Sequence, residues 1–416
     1  MSFVAEMRAN FRYLAGVSLG LSFGYMVNMY IVSIFSPHLI EEFGWTKSQF
    51  ALLGTTILIG IVGMPIAGRL TDIFGSQRMA TVGVILTPLV YAGFSLIEGS
   101  FLHYFLLTIV QVTLIGTTTT SAVYTRVIAE RFDKARGIAL SLAASSPAAT
   151  AAILAPLLTG VIDDHGWRVG YLTLAGGSAI GGLVALLLIS QGPRRIQRTV
   201  RASARGTLQD YRTILNTVAF RTIAGGILLS NLAHTTIGTQ LKLILLDLEI
   251  GSDTASGLVS LFAIGVMLGR LFSGFALDRY PSRIVAAVVL GVPSIGLAIL
   301  GSGQNDITVV GLAVLIVGLS TGAELDVAAY LVMRYFRLEI YGTAYGMIAA
   351  AIALSSASGS LFLSLVLDLT GRFSLYLLIT SATTFLGGLI FLLLPGDKPA
   401  DRSIEKASGE LQGSSD

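Results

Sequence analysis

Three ionisable side chains of this chain stand inside long apolar stretches, where a charge is costly and functional by default. Arg270 is embedded in Val266-Met-Leu-Gly-Arg270-Leu-Phe-Ser, and Glu324 and Asp326 in Thr321-Gly-Ala-Glu324-Leu-Asp326-Val-Ala-Ala. A guanidinium stays charged and meets a carboxylate with two parallel hydrogen bonds, so Arg270 suits the anchoring of an organic anion. The other reading is a side chain that snorkels toward lipid headgroups. Burial favours the neutral form of a carboxylic acid, so Glu324 or Asp326 suits proton coupling. Alternatively one of them pairs with Arg334 or another loop arginine. Two positions along a helix differ by about 200°, so the two carboxylates cannot both face one cavity. Asn231, His234 and Thr235 fall three or four apart, on one helix face. That stripe either lines a cavity, with a histidine that can titrate near neutral pH, or bonds to a neighbouring helix. Tyr25, Asn28 and Tyr30 are the large polar groups of the first apolar run; Gln111, Thr117–Thr120 and Tyr124 belong to the fourth.

Other chemistries are excluded. There are no cysteines, and the four histidines show no metal-ligand spacing. No G-x-x-x-x-G-K-[ST] loop is present. The expectation is no enzyme, no cofactor and no metal, with transport energy drawn from an ion or substrate gradient. The basic residues are spread over many loops, so the net charge of +3 does not point to nucleic acid.

The elements that must hold these residues follow from composition. Hydrophobic residues make up 53% of the 416 and charged residues 12%, with a mean hydropathy of +0.78. A soluble domain carries about 25% charged residues. Lipid is the fitting solvent, and only helices and closed barrels satisfy their own backbones there. The apolar runs are continuous rather than alternating, which decides for helices. With about 20 residues per span, twelve candidates, α1 to α12, run near 13–36, 48–68, 79–98, 101–124, 137–161, 167–190, 219–245, 254–277, 284–302, 307–332, 342–367 and 372–394. The expected fold is an all-α membrane protein of twelve transmembrane helices in two pseudo-symmetric six-helix bundles. The N-terminus reads as a retained first helix, not a cleaved signal.

Lysine and arginine set the orientation. With the N-terminus inside, 23 of the 27 fall on the cytoplasmic side and only Lys47, Arg168, Lys242 and Arg372 outside. Both termini are therefore expected in the cytoplasm, in a cytoplasmic or inner cell membrane. The expected organisation is an N-terminal bundle over 1–190, a basic linker over 191–218, a C-terminal bundle over 219–394 and a disordered tail over 395–416. The linker carries Arg194, Arg195, Arg198, Arg201, Arg205 and Arg212, which hold topology by charge or bind acidic lipid.

The halves repeat. Gly68-Arg-Leu-Thr-Asp72-Ile-Phe-Gly-Ser-Gln-Arg78 is answered by Gly274-Phe-Ala-Leu-Asp278-Arg279-Tyr-Pro-Ser-Arg283, the aspartates standing 206 residues apart. Arg131-Phe132 parallels Tyr335-Phe336, Arg136-Gly137 parallels Tyr341-Gly342, and Asp163…Gly166…Tyr171 parallels Asp368…Gly371…Tyr376. Four matches in order, each at the end of an equivalent helix, indicate a six-plus-six duplication.

The G-x-x-x-D-x-x-G-x-x-R pattern resembles the signature loop of the major facilitator superfamily, and its second copy strengthens the match. Ile73 departs from it, standing where the family has a basic residue. The resemblance implies two bundles around a central cavity, alternating between inward-open and outward-open states. It also implies that Asp72, Asp278, Arg78 and Arg279 form a cytoplasmic gate; the plainer reading is a set of surface ion pairs.

Further motifs look like the branch of monocarboxylate transporters and oxalate:formate antiporters. They are Pro37-His-Leu-Ile-Glu-Glu-Phe-Gly-Trp45, Arg131-Phe-Asp-Lys-Ala-Arg136-Gly-Ile-Ala139, Gly269-Arg270-Leu-Phe-Ser-Gly274 and the stretch from Gly322 to Phe336. The branch gives the arginine of α8 a substrate-binding role. Its aspartate four residues earlier is Val266 here, and the lysines of α1 and α11 known in the branch have no counterpart. The expectation is a secondary transporter of a small organic carboxylate with proton coupling, acting as a monomer in the lipid bilayer. Proton-coupled efflux of a drug-like compound is the alternative. Arg270, Asn28, Tyr25, Tyr30, Asn231, His234 and Tyr124 are the candidate substrate contacts, and Glu324 and Asp326 the candidate proton carriers. Arg270 is the one cation placed well inside an apolar span, with Lys242 at an outer helix end, so a monocarboxylate is expected over a dicarboxylate.

Overall fold

The computed structural model describes residues 3–60, 70, 74–119, 123–124, 127–128, 131–132, 135–189, 212, 214–336 and 340–395. Most of the basic linker, the tail beyond residue 395, Thr120 and Asp72 lie outside them. All regular structure among the described residues is helical. Among the described residues, ten helices are long and apolar enough to cross a membrane. They are α1 (Phe11–Phe43, interrupted at Phe23 and Gly24), α3 (Ser76–Ser95), α4 (Phe101–Thr118), α5 (Arg136–His165) and α6 (Trp167–Ile189), then α8 (Ser252–Arg279), α9 (Ser282–Gly301), α10 (Ile307–Tyr335), α11 (Tyr341–Thr370) and α12 (Ser374–Phe391). Two more complete the set of twelve. α2 begins at Lys47 and continues to residue 60, where the described stretch stops. α7 is made of two segments, Val218–Ser230 and His234–Asp247.

The helix ends are written in local chemistry. Thr46 opens α2 with a capping box shared with Gln49, and the Asp306 carboxylate accepts from the Thr308 and Val309 amides to open α10. Gly166 follows α5 with φ 84° and Gly371 follows α11 with φ 68°. These are the equivalent glycines of the repeated Asp…Gly…Tyr motif. In each half a left-handed residue turns the chain, which a glycine does without a Cβ clash. Large apolar side chains stay exposed on the outer helices, among them Ile180, Leu183 and Leu187 of α6 and Phe385, Leu386 and Leu389 of α12. Hydrocarbon is the solvent such faces require.

Three apolar clusters hold the helices. The largest lies toward the end opposite the chain termini, here the far end, and joins both halves: Ile34, Phe35, Trp45 and Ala155 share it with Ile244, Phe262, Leu363 and Tyr376. The other two each belong to one half, one centred on Val17, Tyr124 and Phe132, the other on Ile223, Val327 and Phe336. Among the described residues, polar contacts join the halves at the far end as well. Lys47 Nζ is 2.6 Å from Asp247 Oδ1, the hydroxyls of Ser48 and Ser364 are 2.8 Å apart, and those of Thr159 and Ser256 are 2.7 Å apart. The far end is closed.

Inside the second half, α8 and α10 meet backbone to backbone. A Cβ added at Gly269 would lie 1.9 Å from the Leu319 carbonyl oxygen, and one at Gly322 would lie 1.9 Å from that of Val266. Gly265 and Gly318 make the same approach one turn earlier. Each helix thus presents two glycines four residues apart to the other, the small-residue packing that lipid-embedded helices use.

Candidate functional site

This close packing fixes the depth of the three charged positions. Arg270 follows Gly269, and Glu324 and Asp326 follow Gly322, so all three rise from one seam. The two carboxylates then part company, as their angular separation requires. Asp326 lies within the electrostatic reach of Arg270, which also acts through its charge on Tyr30 of α1. Arg270 is thus within electrostatic reach of a group in each half. Its Nε is buried without a hydrogen-bond partner among the described residues.

Glu324 turns the other way and is only 2% exposed. The Asn231 amide donates to its Oε1, and His234 Nε2 stands 2.8 Å from its Oε2. Of the polar stripe on α7, Asn231 and His234 thus meet a neighbouring helix carboxylate while also lining a small cavity with Ser320, Thr321 and Thr384. The side chain of Thr235 lies outside what is described.

A larger cavity, about 700 Å³, lies between α1, α2, α4 and α7. Tyr25 and Asn28 line it, and Asn28 Nδ2 donates to Gln111 Oε1 at 3.3 Å. Thr239 and Gln240 of α7 close it, with Phe50, Phe94, Tyr104 and Tyr171 forming aromatic walls. Tyr124 is not brought to either cavity. It is buried against α1, where a Cβ at Gly20 would lie 2.2 Å from its ring. Arg78 is exposed at the start of α3, and Arg279 is exposed with its guanidinium 4.3 Å from the Phe275 ring centroid. The side chain of Asp278 lies outside what is described.

The model for the Major Facilitator Superfamily matches residues 17–236 and again 223–414, which together span nearly the whole chain. This protein is a major facilitator. The facilitator is 26% identical over 398 residues to monocarboxylate transporter 11 of Mus musculus, covering 92% of this chain and 86% of that one. It is 22% identical over 378 residues to monocarboxylate transporter 13 of Rattus norvegicus, covering 88% and 85%. Among solved structures, a D-xylose–proton symporter superposes with a TM-score of 0.70 at 16% identity, covering 95% of this chain and 99% of that one. A bacterial homologue of the human lysosomal transporter Spinster, inward-facing and unoccupied, gives 0.65 at 14%, covering 94% and 99%. These structural likenesses establish the fold. The facilitator is accordingly a multi-pass membrane transporter of a small solute, not an enzyme.

Three features of this facilitator escape its sequence. Apolar length predicts unbroken α1 and α7, yet both are interrupted, α1 at Phe23 and Gly24 and α7 at Asn231–Ala233. The interruptions hold corresponding places in the two halves, a pattern that marks binding regions of transporters; Gly24 was the one visible signal. Thr119 Oγ1 accepts from the freed Tyr25 amide at 2.9 Å. Gln240, only 2% exposed and with no partner for its Oε1 among the described residues, carries no signal in the sequence beyond its polarity. Lys242 is the third. Reading α7 by length places it at an outer helix end, but it is 0% exposed, with Nζ 3.4 Å from the Thr159 hydroxyl of α5. The far-end seam buries it.

Proposed function

We propose that this facilitator moves a small monocarboxylate across the cytoplasmic membrane by alternating access, driven by a proton gradient and working as a monomer with both termini in the cytoplasm. The observation that carries the reading is Arg270: a guanidinium within a membrane helix, in electrostatic reach of Tyr30 in one half and Asp326 in the other, whose buried Nε has no hydrogen-bond partner among the described residues. An incoming carboxylate supplies the missing acceptor and the missing charge together. The similarity to proteins named monocarboxylate transporters supports the same substrate class. Asp326 near Arg270 and Glu324 behind it are the carboxylates available for the proton. Asp72, Asp278, Arg78 and Arg279 are the gate at the cytoplasmic end, and Asn28, Tyr25 and Gln111 contact the solute in the larger cavity.

The buried Lys242 leaves the monocarboxylate preference in place. It lies five residues from the far end of α7 and Arg270 eighteen from the far end of α8, so at about 1.5 Å per residue the two differ in depth by about 20 Å. A small dianion cannot span them, and its second charge would be left unpaired at a cost of several kcal/mol. Uptake of labelled lactate and of oxalate into proteoliposomes under an imposed pH gradient tests this. Lactate is expected to be preferred, and Arg270→Lys to lose most uptake, because an ammonium cannot form the planar two-bond contact. Tighter binding of the dianion, or full activity of the lysine variant, would overturn Arg270 as the anchor.

The second reading, efflux of a drug-like compound, draws on the aromatic walls of the larger cavity. Proton-driven export of an aromatic dye with no lactate uptake would establish it instead. The orientation is tested separately. Reporter fusions after Arg198 and after the last residue are expected to read cytoplasm, and one at Glu42 the outside; a C-terminus outside would reverse the proposed topology.

A further inference from the structure

Glu324 makes its two contacts on opposite sides of a break. Asn231 is the residue that ends the first segment of α7, and His234 begins the second. A broken helix frees backbone carbonyls that need partners in a lipid environment. Here those partners are built in. Ser355 Oγ donates to Leu228 O at 2.6 Å, Thr384 Oγ1 to Ser230 O at 3.3 Å, and Tyr376 Oη to Leu232 O at 2.8 Å. Gly359 of α11 lets the Leu232 carbonyl approach so closely that a Cβ there would stand 1.8 Å from its oxygen. Helices α11 and α12 thus hold the first segment and the break, while the second segment is tied back at its start by His234 alone of these groups.

That second segment carries contacts across the far end. Asp247 takes Lys47 of α2, Lys242 reaches Thr159 of α5, and Gly238 packs toward the Met29 carbonyl oxygen of α1. The carboxylate at one end of the segment and the far-end closure at the other are therefore joined by one helical piece of 14 residues.

We infer that Glu324, clamped by Asn231 and His234 across the break in α7, is the proton-binding site of this transporter, and that its occupancy controls the far-end closure through the second segment of α7. The inference rests on the proton-coupled reading above and assigns the proton to Glu324 instead of Asp326. A proton delivered by hydronium in the adjoining cavity bonds to Oε2 and leaves water behind, adding one positive charge to the clamp whatever the state of the imidazole. Hydrogen bonds to an ionised acceptor are roughly twice as strong as neutral ones. The neutral acid therefore holds His234 less firmly, and the second segment is freed to tilt with its far-end contacts. The other ionisable groups on packed elements stand elsewhere. α8 brings Arg270, which acts on Asp326; α9 carries Arg283 at the terminus end; α11 carries Asp368 at the far end and Tyr345 at the terminus end; α12 brings Tyr376 to the Leu232 carbonyl. Asn231 and His234 are positioning residues.

The test uses the full-length protein in proteoliposomes. Lactate counterflow at equal pH reports substrate binding, and lactate accumulation under a pH gradient reports coupling. Absence of counterflow in the unaltered protein would sink the carboxylate reading, not the clamp. With counterflow present, Glu324→Gln is expected to lower the ratio of accumulation to counterflow at least about tenfold, a shift of about 1.4 kcal/mol in coupling. His234→Gln, which removes one arm of the clamp, is expected to lower the same ratio while counterflow persists. A second measurement does not depend on the folding of those variants. The chain has no cysteines, so spin labels at Glu98→Cys and Gln304→Cys, exposed on the far-end loops of the two halves, report the opening directly. Acidification is expected to lengthen that distance. A distance independent of pH, an unchanged ratio in Glu324→Gln, or loss of coupling confined to Asp326→Asn would each overturn the assignment.

Discussion

A cysteine pair at Ser48 and Ser364 is expected to stop transport on oxidation and to release it on reduction. The two hydroxyls are 2.8 Å apart, on α2 of the first half and α11 of the second. Hydroxyls in contact bring the two Cβ atoms near the separation of about 3.5–4.5 Å that a disulfide needs. Farther along the same helices, a Cβ at Gly54 would stand 2.0 Å from Ser360 Oγ, so the two helices abut well beyond this one pair. Alternating access requires the far end to part in every cycle. A disulfide typically contributes about 2–4 kcal/mol, and about 1.4 kcal/mol already shifts an equilibrium tenfold. Uptake is therefore expected to fall more than about tenfold under oxidant and to recover with dithiothreitol. Neither single-cysteine variant should respond, since no native thiol is available as a partner. Undiminished uptake with the bond demonstrably formed would show that solute passes without parting α2 from α11.

The second large effect is expected from a single methyl group. Gly269→Ala places a Cβ 1.9 Å from the Leu319 carbonyl oxygen. The obstacle is backbone, which cannot rotate away, so α8 and α10 must separate along their seam. Overpacking a close-packed core costs about 1–3 kcal/mol, and the separation moves Arg270 relative to Glu324 and Asp326, on which the proposed site depends. Lower thermal stability in detergent and loss of solute binding are expected together. Gly257→Ala on the same helix meets nothing within 4 Å and serves as the control, expected to match the unaltered protein. Equal stability of the two variants would mean that the seam between α8 and α10 is not tight.

Both predictions concern contacts that no reading of the chain alone could place. A hydropathy pattern reports that a segment lies in the membrane. It does not report which face turns to lipid and which to another helix, because lipid tails are as apolar as leucine. Gly269 and Gly322 were visible as members of two motifs, with nothing in either motif to say that the two meet. Their reciprocal fit emerges when α8 and α10 are laid together. Lys242 shows the same limit for charge. Its distance from the end of α7 suggested an outer boundary, and only the neighbouring α5 reveals that the position is sealed.

The sequence by itself determined the solvent, the helices, the duplication and the family, because each of these is a sum over many residues. A low charge content, long apolar runs and a motif repeated 206 residues apart survive local variation. It also exposed Arg270, Glu324 and Asp326, since a charge within an apolar run stands out whatever surrounds it. The tertiary structure decided their partners. Helical periodicity set Glu324 and Asp326 on different faces; it also suggested one face for Asn231 and His234, which the structure instead places on either side of a break, both meeting Glu324. Which helix supplies the opposing group depends on packing between segments about 90 residues apart, as between Asn231 and Glu324, and on a break in α7 held by hydrogen bonds from α11 and α12. Those bonds join residues distant in sequence, and the composition of α7 does not encode them.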